Sequence, residues 1–430
     1  MTVATRTNPW TALGGLTRSG SAIEGLSWAL YDFANTIFSF AIVSFAMGPW
    51  ATRFLGEAQG TFVFTLAGSI AVALNAVVSP VLGAMSDRTG GRKGYLAVFT
   101  VLCVVPTAMI GFVGIGAGLL LFALANFAYQ AALIYYDALL PDVARPESRG
   151  RLSGIGVGLG YLGSIVAALL YGLTTDADGR TTALSFVLVA SLFAVFAIPL
   201  FALVSERRPL PGDRFRISDA LKSWTQLRNT IAHARERPGL LRFVIARFFY
   251  SDPINTAIAV MSLFAIHAVG YTEGEARGVL ILLIVVAVFA SFGWGWLADR
   301  IGPKRTLLLV LASWVVGLLI IGLVLERTTF LIAGAILGSG LGGVAVTDRL
   351  FLIRLAPAER MGEMFGLFGL VGKLSAVVGP LTYGGIVLIL QPRLGTLAYQ
   401  IAILSLLVLM LIGLVILRGV PQPPAVEAQP

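Results

Sequence analysis

Apolar residues in this chain fall into long runs separated by short polar interruptions. Twelve runs stand out, at 27–50, 61–84, 94–114, 118–140, 152–173, 183–204, 242–267, 278–298, 306–325, 329–350, 362–388 and 396–417. A helix needs about 20 apolar residues to cross the hydrocarbon of a bilayer, at 1.5 Å rise per residue. A transmembrane barrel would instead show alternating segments of about 10 residues. The pattern therefore predicts an all-α membrane protein with twelve transmembrane helices. The longest polar interruption divides them into two six-helix bundles. The organisation expected is a tail at 1–26, a bundle at 27–204, a linker at 205–241, a second bundle at 242–417 and a tail at 418–430. Within the linker, Ser218 or Asp219 can cap a helix whose Leu221, Trp224, Leu227 and Ile231 form one apolar stripe, as in helices that lie on a membrane surface.

Composition agrees. Apolar residues make up 57% of the chain and charged residues 12%, where a soluble protein spends about a quarter on charge. With the N-terminus inside, 24 of the 31 Lys and Arg fall in inner segments and five in outer ones; Arg247 and Lys373 stay within spans. That asymmetry places both termini in the cytoplasm. The net charge of +9 is spread through short loops, which fits topology and membrane lipids rather than nucleic acid. No cleavable leader is expected, because the first 25 residues are polar and basic. One cysteine and two distant histidines offer neither a disulfide nor a metal site, and no cofactor is expected. The glycines from Gly154 to Gly163 lie inside an apolar run, so they read as helix packing rather than a nucleotide loop. Without a Walker motif or a nucleophile constellation, an enzyme or ATP-driven pump is a poor fit. Trp28, Trp50, Trp294 and Trp296 lie near span ends, where interfacial anchoring is expected.

The two halves repeat. Gly83-x-x-x-Asp87-Arg88-x-Gly90-x-Arg92-Lys93 recurs in the second half as Gly295-x-x-x-Asp299-Arg300-x-Gly302-x-Lys304-Arg305, every position displaced by the same offset of 212. A weaker echo at an offset of 209 sets Arg151, Gly160 and Gly163 against Arg360, Gly369 and Gly372. Parallel repeats imply a pseudo-twofold axis along the membrane normal with a cavity between the halves.

Charges in hydrocarbon are costly and by default functional. The first span carries Asp32 and Asn35. The fourth carries Asn126, Gln130 and Asp137, whose spacing sets them in one narrow stripe along a helix, and the seventh carries Arg247, Asp252 and Asn255. Lys373 sits near the middle of the eleventh. Arg247 and Lys373 are candidates for a substrate carboxylate or other anion, and Asp32 and Asp252 for an amine or a coupling proton. Pro253 is expected to break the seventh span and free a carbonyl; an Arg247–Asp252 pair is the competing structural role. Gly83, Asp87, Arg88, Gly90, Gly295, Asp299, Arg300 and Gly302 are expected to form a cytoplasmic gate.

The repeated motif resembles the signature of the major facilitator superfamily, with Gly91 standing where a basic residue is commonest. More narrowly, 28-WALYDFANTIFSF-40, 135-YYDALLPDV-143, 247-RFFYSDPINT-256 and 372-GKLSAVVGP-380 are similar to the bacterial Atg22-like (UMF1-type) family. The resemblance implies a monomeric secondary transporter in a bacterial inner membrane. Its substrate would be a small polar or zwitterionic solute such as an amino acid, moved outward by alternating access with protons as an optional coupling ion. A lipid or lysolipid flippase and an uncoupled facilitator are the alternatives.

Overall fold

The computed structural model describes residues 13–175, 181–206, 235, 237, 239–376 and 378–421. The linker helix expected around 218–239 lies outside the described residues except at 235, 237 and 239. Among those residues, twelve helices are long and apolar enough to cross a membrane, one for each apolar run. The first, α1, begins at Ala22 and continues through a π-helical stretch, Ser39–Ala46, to Leu55. Then follow α2 (Glu57–Thr89), α3 (Arg92–Met109), α4 (Ile115–Val143), α5 (Arg149–Thr174) and α6 (Ala183–Leu203). The second half holds α7 (Leu240–Phe264), α8 (Glu273–Ile301), α9 (Pro303–Leu323) and α10 (Arg327–Leu355). It ends with α11 in two pieces, α11a (Met361–Ser375) and α11b (Val378–Leu394), and α12 (Leu397–Arg418).

Local chemistry explains the helix ends. Ser21 caps α1 by accepting the Glu24 N–H, and Thr272 and Glu275 form a reciprocal capping box on α8. Gly90 (φ 67°) and Gly302 (φ 88°) stop α2 and α8 in conformations that side chains avoid. Gly91, at φ 80°, explains the displaced basic residue, since a Cβ there would be strained. Outward-facing Leu120, Leu173 and Leu388 are more than 70% exposed, an apolar periphery that requires lipid around it. The chain is an integral membrane protein.

Three local expectations are corrected. α7 runs straight through Pro253, and the break falls in α11, between Ser375 and Val378. Trp28 and Trp50 are buried rather than interfacial: Trp28 stacks on Tyr136 at 4.6 Å and donates its indole N–H to the Tyr136 carbonyl. Residues 16–18 are packed rather than a free tail, with the Arg18 N–H on the Val143 carbonyl and the Arg145 N–H on that of Leu16.

The halves meet along two seams, α2 against α11a and α5 against α8. Each seam is made by glycines: Gly83 touches Gly362 backbone to backbone, and Gly295 touches Gly150 in the same way. A methyl on Gly154 would lie 2.6 Å from the Ser291 carbonyl oxygen. Its counterpart Gly366 abuts Ser79. All these pairs map onto each other under the offset of 212 found in the repeated motif, so the offset of 209 is corrected: Arg151 corresponds to Glu363, not Arg360. The glycines of α5 therefore serve helix packing.

Candidate functional site

Between the halves lies a cavity of about 390 Å³. α4 contributes Gln130 and Asp137, and α5 contributes Tyr161. α7 contributes Arg247, Ser251 and Asn255, α10 contributes Asp348 and Arg349, and α11a contributes Lys373. Ile254, Ile258, Leu341, Val344 and Phe365 form apolar wall. Polar groups on one face and apolar ones beside them are the usual composition of a small-molecule site.

The charged floor is an ordered network. Arg349 Nη1 lies 3.0 Å from Asp137 Oδ1, and its Nη2 lies 3.7 Å from Asp32 Oδ2, so one cation from the second half meets two carboxylates from the first. Arg247 donates Nε to Asp348 at 2.8 Å and Nη1 to the Phe368 carbonyl, and its guanidinium lies 3.4 Å over the Phe368 ring. Tyr250 donates to the other oxygen of Asp348. Lys373 donates to the Asn75 side-chain carbonyl, which bridges α11a to α2. Buried ion pairs persist only where further hydrogen bonds satisfy both partners, and Arg247 and Asp348 meet that condition.

The cavity brings together five sequence candidates, Gln130, Asp137, Arg247, Asn255 and Lys373, and Asp32 joins them through Arg349. It leaves out three. Asn35 and Asn126 are buried within the first bundle and do not border the cavity. Asp252 turns to the break in α11, where its Oδ1 accepts the Gly379 N–H at 2.8 Å near the start of α11b. There it satisfies a backbone donor that the helix itself leaves free. The competing Arg247–Asp252 pair does not form either, since Arg247 is held by Asp348.

Sequence reasoning missed Asp348, Arg349 and Asn75. Arg349 counted as an inner-loop charge because the tenth apolar run ends beside it; the helix instead continues to Leu355 and buries it. The signal was in the repeat, because an offset of 212 carries Asp137 onto Arg349.

At the basic end, two contacts related by the pseudo-twofold axis join the halves. Asp87 accepts the Gly362 N–H at 3.0 Å and the Glu363 N–H at 2.8 Å, at the start of α11a. Asp299 accepts the Gly150 N–H at 2.7 Å and the Arg151 N–H at 2.9 Å, at the start of α5. Each carboxylate thus sits at the positive end of a helix in the opposite half. Arg92 holds Asp87 at 3.0 Å and Arg151 holds Asp299 at 3.1 Å. Of the other gate candidates, Gly83 and Gly295 make the close crossings and Gly90 and Gly302 the turns. Arg88 and Arg300 are exposed, Arg300 lying over the Trp296 ring at 4.2 Å. Among the described residues no cluster of His, Cys, Asp and Glu is suited to a metal.

Comparison with known proteins sets this arrangement in a family. Residues 52–429 match the family model described as vacuole effluxer Atg22 like. A Bacillus subtilis (strain 168) protein named as an uncharacterized MFS-type transporter, YxiO, is 27% identical over 92% of this chain and 94% of its own. Autophagy-related protein 22 of Coccidioides immitis (strain RS) is 25% identical over 60% of this chain, which spans about half of that protein's length. In fold, the chain is similar to the E. coli fucose:proton symporter, with a TM-score of 0.70 over 94% of this chain and 98% of that one, at 14% identity. The chain belongs to the Atg22-like family of the major facilitator superfamily, and is a secondary transporter of small molecules rather than an enzyme.

Proposed function

We propose that the protein exports a small polar or zwitterionic solute, such as an amino acid, from a bacterial cytoplasm by rocking its two bundles about the central cavity. The observation that carries this reading is a cavity bordered by ionisable side chains from both halves, together with an end closed by two symmetry-related latches. With the basic end in the cytoplasm, as the positive-inside rule predicts, the conformation described is closed toward the cytoplasm. Opening the other way requires Asp87 and Asp299 to release the helix starts they cap, so these two residues set the equilibrium between states. Asp32 and Asp137 share one arginine, and protonating either leaves a balanced pair. This supports coupling to protons, while the same cavity serves an uncoupled facilitator if neither titrates.

The test is counterflow in proteoliposomes against amino acids, sugars, organic anions and lysolipids, with and without imposed proton and sodium gradients. Accumulation of an amino acid or similar solute, steepened by a proton gradient, supports coupled export. Movement of lysolipid alone would favour the flippase, and the absence of counterflow for every compound would sink the transport reading.

A further inference from the structure

The floor of the cavity is unevenly paired. Arg349 faces two carboxylates, Asp32 and Asp137, and Arg247 is matched by Asp348. Lys373 has no carboxylate within ion-pair distance among the described residues, and holds only the neutral side-chain carbonyl of Asn75. An ammonium withdrawn from bulk water and given a single amide acceptor is under-solvated, because it carries three donors. It borders the cavity directly, and Gly369, the residue one helical turn before it, has no side chain to fill the space beside it. Arg247 is a poorer anion site despite its charge. Its Nε and Nη1 are already committed, and the Phe368 ring covers one face of the guanidinium.

We propose that Lys373 is the anion subsite of the transport cavity, taking the carboxylate of a solute whose apolar body lies against Ile254, Ile258, Leu341 and Val344. This rests on the transport reading and narrows it: a free carboxylate is required, and a neutral amide of the same shape is refused. The subsite is tied to the bundles. Asn75 belongs to α2 and Lys373 to α11a, so the present bond crosses the seam. A carboxylate on Lys373 competes with the Asn75 carbonyl for the ammonium and so weakens the bond that ties α2 to α11a. The carboxylate surplus around Arg349 then provides for the positive charge of a zwitterion within the same cavity.

The test uses matched pairs of acid and amide on the purified full-length protein: phenylalanine and phenylalaninamide, 3-phenylpropanoate and its amide, lactate and lactamide. Thermal stabilisation and counterflow are read for each. At least one acid is expected to bind and its amide to bind about 10- to 100-fold more weakly, the range for a charge-assisted hydrogen bond. Lys373→Gln should bring the acid down to the amide, Lys373→Arg should keep the preference, and Arg305→Gln, at an exposed site, should change nothing. If Lys373→Gln does not fold, Asn75→Asp serves in its place. It supplies a resident carboxylate to Lys373 and should abolish acid binding. Equal binding of acids and amides, an unaltered acid preference in Lys373→Gln or Asn75→Asp, or no binding by any acid would overturn the subsite. Counterflow of a neutral solute under any of those outcomes would leave the transporter itself standing.

Discussion

Asp137 and Arg349 occupy equivalent positions in the two halves, related by the offset of the repeated motif, and meet at 3.0 Å across the axis that relates them. A repeat has thus placed an acid and a base at corresponding sites, and the pseudo-symmetry that brings equivalent positions together makes them partners. Asp32, from α1, joins the same guanidinium at 3.7 Å. The floor of the cavity is therefore also a contact between the halves, so any change in its charge bears on how they sit together.

Removing Arg349 would leave two carboxylates buried beside each other. Arg349→Ala is expected to destabilise the protein by about 3–5 kcal/mol, the range for a broken buried ion pair, and to abolish counterflow. Combining it with Asp32→Asn and Asp137→Asn should restore most of the thermal stability in detergent but not transport. A single Arg349→Ala variant as stable as the triple variant would show that the three groups do not interact as described.

The latches at the basic end make a separate prediction. Asp87→Asn and Asp299→Asn each weaken a charge-assisted contact to two backbone N–H groups, worth roughly 1–2 kcal/mol. Each should raise the population open at that end about 5- to 30-fold. Spin labels on exposed Arg88 and Ala358 should report this as a second, longer distance that grows further in the double variant. An unchanged distance distribution in the double variant would exclude these aspartates from gating.

The glycine crossings predict a sharper effect. A methyl on Gly154 would sit 2.6 Å from the Ser291 carbonyl oxygen, and one on Gly362 would sit 2.5 Å from that of Gly83. Gly154→Ala and Gly362→Ala cannot be accommodated by a rotamer change, because the obstacle is backbone. Both variants should insert in the membrane and fold, yet favour the state in which the seams are apart, with slowed transport. The same labelled pair measures it.

Asp252 predicts a contrast with the cavity residues. It serves the backbone at the start of α11b, so Asp252→Ala should cost about 1 kcal/mol, in the range of a lost helix cap. Asp252→Asn keeps an acceptor and should retain both stability and transport. Transport lost in Asp252→Asn with stability intact would return this residue to the substrate pathway.

Helix number and the two halves could be read from the sequence because the bilayer imposes a length on every apolar run. The pairing of Asp87 with Asp299 was legible too, since their motif occurs twice. What could not be read was set by neighbours distant in the chain. Nothing local distinguishes Asp252, which faces a backbone break, from Asp137, which faces the cavity; the difference depends on where α11 is interrupted. Arg349 was hidden because a hydropathy run ends at a charge whether the helix ends there or not. Trp28 was misread for a related reason: its position near a span end matches an interfacial anchor, and only the stack on Tyr136 shows that its ring faces inward.

The most direct test of alternating access is to tie the basic end shut. Ala358 and Gly90, the residue that ends α2, border the same small crevice. Cysteines at Arg88 and Ala358 joined by a short, cleavable bis-maleimide would therefore hold the seam closed. Counterflow should stop on cross-linking, resume when the linker is cleaved, and persist in both single-cysteine controls. Full counterflow through the cross-linked protein would contradict a mechanism in which the two bundles must part at that end.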